Sequence, residues 1–115
     1  MEKKIVCVLG MHRSGSSYVA SRVRGMGVDF GHDEELIAGD AYNERGYHEN
    51  KDLSYLGEEI LIALGGDHIR PPFLESNWET SPLLDPFRTR AKLLVETKFG
   101  KSQVWGWKDP RTSLL

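Results

Sequence analysis

Five apolar residues in succession, Ile5-Val6-Cys7-Val8-Leu9, stop at Gly10 and give way to a polar, glycine-containing stretch before apolar positions return at helical spacing. A run this short, rich in β-branched side chains and without polar alternation, predicts a central strand buried on both faces, with Cys7 as a quiet core thiol. A helix is expected from near Ser16, with Val19, Val23 and Met26 on one side and an end around Gly25 to Gly27. Val28 to Phe30 fits either a very short strand or the return of the chain.

Residues 31 to 49 carry no period, and Gly31, Gly39, Asn43 and Gly46 are spread through them. An irregular stretch of that length in a small domain is expected to serve as a lid or binding segment. Asn50 then suits a helix cap, Leu53, Leu56, Ile60 and Leu64 recur at helical spacing, and Gly65-Gly66 provides the stop. Pro71, Pro72 and Pro82 mark a second surface crossing over 67 to 82. Asp85-Pro86 reads as an N-cap with proline at the first helical position, and Phe87, Ala91, Leu94 and Val95 form the stripe up to Phe99, closed by Gly100. A strand is expected at about Gln103 to Trp107, with Trp105 and Trp107 packing on one face, and Asp109-Pro110 opens another helical turn. The order strand, glycine loop, helix predicts a layered α/β domain.

Composition narrows the function. The chain has 115 residues, with 15 Lys and Arg against 17 Asp and Glu for a formal charge of -2. One domain is expected, with no polybasic face for nucleic acid. The single cysteine excludes an internal disulfide, and the apolar run before Gly10 is too short for a membrane span or secretory core, so the reading is cytoplasmic. His12, His32, His48 and His68 have no metal-ligand spacing, and metal binding is not expected.

The chemistry lies in Gly10-Met11-His12-Arg13-Ser14-Gly15-Ser16-Ser17. A glycine turn feeding a helix N-terminus lets several backbone N–H groups face one anion. Ser14, Ser16 and Ser17 add hydroxyls, and Arg13 adds a forked charge. The gap from Gly10 to Gly15 is that of a Walker A loop, but Ser16-Ser17 stand where that loop has lysine then serine or threonine. A nucleotide-triphosphate enzyme would lack the amine that neutralises the outer phosphates.

Three segments in order, this loop, Asn43-Glu44-Arg45-Gly46-Tyr47-His48-Glu49-Asn50 and Trp107-Lys108-Asp109-Pro110-Arg111, together resemble the PAPS-dependent sulfotransferases, specifically the bacterial and Golgi-type members related to protein-tyrosine sulfotransferases. The resemblance covers essentially the whole chain. It implies a P-loop NTPase-like three-layer α/β fold with a parallel sheet, truncated at the C-terminus, with residues 1–115 as the N-terminal part of one such domain. The family's 3'-phosphate segment, an arginine after a later strand and a serine opening the next helix, has no counterpart before Leu115.

The co-substrate implied is 3'-phosphoadenosine 5'-phosphosulfate, with no obligatory metal. By position in the matching motifs, His12, Arg13, Ser14, Gly15, Ser16 and Ser17 would hold its 5'-phosphosulfate, with Arg13 and Lys108 as cations at the sulfuryl group. Glu49 matches the carboxylate base of the tyrosine-protein and heparan branches, while His48 beside it is similar to the histidine base of the soluble branch. The acceptor, a carbohydrate, peptide or small molecule, is left open. Two other readings stand beside this one: a truncated P-loop kinase, and a nonenzymatic anion-binding module. On the bland side, Asp109 reads as a cap and Arg111 as either its local partner or a solvated side chain, while Phe73 and Trp78 would line an acceptor pocket or pin their loop.

Overall fold

A computed structural model of the chain describes residues 2–11, 14–39 and 46–115. Strand β1 (Lys4–Val8) leads through the glycine loop into helix α1 (Ser16–Gly25). Helices α2 (Lys51–Ala63) and α3 (Asp85–Phe99) follow, then strand β2 (Val104–Lys108). Single turns of 3-10 helix lie at Asp33–Glu35, Trp78–Thr80 and Pro82–Leu84, and a longer one at Pro110–Leu114.

The two strands are parallel, with Val6 opposite Gly106 and Val8 opposite Lys108. Asp29 adds a parallel bridge on the far side of β2, its N–H donating to the Val104 carbonyl at 3.1 Å and its carbonyl accepting from Gly106 N–H at 2.9 Å. Val28 to Phe30 is therefore a one-residue strand, and β2 rather than β1 is the inner strand among the described residues. This corrects the expectation for β1. Only Val8 is buried in it; Ile5 is 60% exposed and Cys7 is also exposed, because among the described residues β1 pairs along one edge and nothing covers that face.

Side chains alternate across β2, so its two faces receive different partners. Trp105 is buried against Phe99 of α3, ring centroids 4.6 Å apart, and stacks on Trp107 at 5.6 Å, which bears out their shared packing face. On the other face Val8, Ala20, Phe30 and Leu36 form a core cluster, with Val23 and Val28 against it. Helix α1 thus buries Ser16 and Ala20 rather than the expected Val19 and Met26, which are 48% and 83% exposed. The small Ala20 lets the helix approach the sheet closely, a role its modest hydrophobicity does not announce.

Asn50 caps α2 as expected, its Oδ1 accepting from Asp52 N–H at 3.1 Å and Leu53 N–H at 3.4 Å. Asp85 is not the cap of α3. It is already helical and pairs with Arg88, while Ser81 caps the preceding 3-10 turn. Lys98 ties α3 to α2 through Asp52 at 2.9 Å and to the 31 to 49 segment through Glu35. Among the described residues no helix is long and apolar enough to cross a membrane.

Candidate anion and proton-transfer site

The three motifs meet at Lys108. Its position at the end of β2, on the face opposite Trp105 and Trp107, sends the side chain toward α1. Lys108 Nζ donates to Glu49 Oε1 at 2.7 Å and to Ser17 Oγ at 3.2 Å. Ser17 Oγ in turn donates to the Tyr47 carbonyl at 3.4 Å. Lys108 is 3% exposed and Glu49 5%, so neither is a solvated surface charge. An ammonium has three N–H donors, and two of them are engaged here among the described residues.

Local backbone geometry brings Glu49 inward. Gly46 and His48 both have positive φ, 90° and 58°, so the chain turns tightly before it extends through Glu49. The Glu49 carbonyl then accepts from Ile37 N–H at 2.8 Å, and Leu36 bridges Asn50 in antiparallel fashion. A histidine in the left-handed region is uncommon and costs local strain, which the packing around it must hold in place.

The glycine loop opens α1 as its sequence requires. Gly15 is the N-cap with φ of 88°, a conformation an L side chain rarely adopts, and it provides no side-chain cap to the first turn. Ser14 Oγ donates to the Met11 carbonyl at 2.6 Å, and Ser16 is buried. His12 and Arg13 lie outside the described residues. The structure therefore brings together Ser17, Glu49 and Lys108 and places Ser14, Gly15 and Ser16 in the adjoining turn.

Below this point Asp109 and Arg111 form a support. Asp109 Oδ1 accepts from Arg111 N–H at 3.2 Å and Nη1 at 3.0 Å, capping the Pro110–Leu114 turn. Burial pushes the Asp109 carboxyl above the ordinary range despite Arg111. Arg111 Nε also donates to Glu58 Oε2 at 2.9 Å, and Glu58 pairs with His68 at 3.0 Å. Burial raises the Glu58 carboxyl, but the hydrogen bonds from His68 and Arg111 outweigh it and leave the group below its usual value.

Three contacts escaped sequence reasoning. Ser113 Oγ accepts from Gly10 N–H at 2.9 Å, so the turn after β2 holds the start of the glycine loop. Arg24 Nη1 donates to His48 Nδ1 at 3.1 Å while Nη2 donates to Asp33 Oδ1 at 2.9 Å. Arg24, Asp33 and His48 line a cavity of about 550 Å³ together with Ile37, Gly46 and Lys51. Burial, then Arg24 and Lys108, lower the His48 pKa, with Asp33 opposing. Nothing in the one-dimensional pattern couples positions so far apart. Phe73 and Trp78 line a different, smaller cavity with Leu74 and Leu83, and Phe73 is 89% exposed. Among the described residues no group of three His, Cys, Asp or Glu is placed to hold a metal ion.

Lys108 beside a helix N-terminus can stabilise an anion, and Glu49 on its other side can accept a proton. In comparisons with known proteins, no family model, no curated protein and no solved structure matches this chain.

Proposed function

We propose that the chain binds the 5'-phosphosulfate of 3'-phosphoadenosine 5'-phosphosulfate and transfers its sulfuryl group to a hydroxyl or amine of an acceptor, on a P-loop NTPase-like fold. The observation that carries this reading is the position of Lys108 Nζ between Ser17 Oγ of the glycine loop and Glu49 Oε1. The sulfuryl group would lie against the loop, with His12, Arg13, Ser14, Gly15, Ser16 and Ser17 around it. The acceptor oxygen or nitrogen forms the new bond to sulfur as the bond from sulfur to the phosphate oxygen breaks. Glu49 takes the acceptor's proton, and the leaving electron pair goes to the phosphate.

Positive charge serves the step because charge grows on the bridging oxygen as it leaves. Arg13, Lys108 and the loop amides supply it, as positioning and electrostatics do for phosphoryl transfer. The missing Walker lysine favours this reading over a kinase. Calorimetry tests it with 3'-phosphoadenosine 5'-phosphate in excess chelator. Saturable heat, lost in Arg13→Ala, is expected. Heat only from magnesium-ATP would favour a kinase, and equal response to inorganic sulfate would favour a plain anion-binding module. Equal heats for the native chain and Arg13→Ala would remove Arg13 from the site.

A further inference from the structure

His48 lines the 550 Å³ cavity, and its ring is held by Arg24, which lines the same cavity. A guanidinium has five N–H donors and no acceptor, so the contact between Arg24 Nη1 and His48 Nδ1, 3.1 Å, requires a lone pair on Nδ1. The ring hydrogen must then sit on Nε2. Arg24 itself is anchored by Asp33 Oδ1 at 2.9 Å, and the left-handed backbone at His48 fixes the direction from which the ring arrives.

We infer that Arg24 is a positioning residue that locks His48 in the neutral Nε2–H tautomer, making His48 a hydrogen-bond donor to whatever occupies the cavity and withdrawing it from the role of proton acceptor. The charged groups around the ring agree in direction. Arg24 on α1 and Lys108 on β2 both oppose a second proton, and among the described residues only Asp33 favours one. Among the described residues Glu34 and Lys51 are the other charged side chains that line the cavity. The ligand class follows from this donor set. His48 Nε2–H offers a hydrogen to a lone pair, so the occupant must present an oxygen or nitrogen acceptor there, and a bare ammonium at that point would be refused.

The tautomer lock stands on geometry alone. Its catalytic consequence, that Glu49 and not His48 takes the acceptor's proton, rests on the proposed sulfuryl transfer. Long-range proton–nitrogen correlation spectra of the 15N-labelled full chain separate the two kinds of ring nitrogen. His48→Gln assigns the signal among the four histidines by its disappearance. The expected result is an unprotonated Nδ1 and a protonated Nε2 at neutral pH, with the titration midpoint moving upward in Arg24→Gln, whose amide can accept as well as donate. A Nδ1–H signal in the native chain would overturn the lock, and so would an unchanged midpoint in Arg24→Gln with an otherwise superimposable amide spectrum. If Arg24→Gln does not fold, Arg24→Met, which removes the same donor and charge while keeping the apolar stem, is read the same way. Failure to bind 3'-phosphoadenosine 5'-phosphate would remove the catalytic consequence and leave these spectra unaffected.

Discussion

Lys108 and Glu49 are the residues on which stability and proposed chemistry meet. Both charges are nearly dry, so removal of one partner strands the other, at about 3–5 kcal/mol. Lys108→Met alone and Glu49→Met alone are both expected to lose stability in that range in urea titrations. The double variant should recover most of it, because an apolar pair of similar volume carries no desolvation cost. A double variant as unstable as the sum of the singles would mean that the pair does not interact. His48 adds a pH dependence. Its folded-state pKa lies below the ordinary imidazole value of about 6.5, so the unfolded chain takes up the proton first as pH falls. Stability from this group is therefore complete above that value and declines as pH drops from it toward the folded pKa. The urea midpoint should fall more between pH 7.5 and 5.5 in the native chain than in His48→Gln; equal falls would contradict the assignment. Glu58 loses its contribution only at lower pH, near the carboxylate range.

At the level of elements, the ends of α2 were legible in the sequence, Asp85 was misread as the cap of α3, and helix faces were only partly legible. Asn50 and Gly65 bound α2 through local hydrogen bonds and a positive φ that residue type announces directly. The buried side of α1 depends on how near the sheet lies, and Ala20 was chosen by that distance rather than by hydrophobicity. The same closeness governs β2. A side chain added at Gly106 would put its Cβ 2.2 Å from the Val6 carbonyl oxygen and 3.3 Å from the Phe30 ring. Gly106→Ala is accordingly expected to cost at least about 1–3 kcal/mol through displaced backbone, read as a lowered thermal midpoint. A neutral effect would contradict the register that sets Val6 opposite Gly106.

Across the whole molecule, the sequence identified the ends of the contacts but not the contacts themselves. Ser17, Glu49 and Lys108 were each singled out by motif, yet their convergence depends on parallel pairing of β1 with β2 and on the turn at Gly46 and His48. The inner place of β2 was not legible either, because strand order is a property of the assembled sheet; an apolar run such as Ile5 to Leu9 looks the same at an edge or in the middle. The central claim is that Lys108 and the glycine loop form one anion site. Its most direct test is the affinity of 3'-phosphoadenosine 5'-phosphate, in chelator, for the native chain and for the folded Lys108→Met, Glu49→Met double variant. Loss of a charge-assisted hydrogen bond should weaken binding about ten-fold or more. Native-like affinity in the double variant would contradict the account.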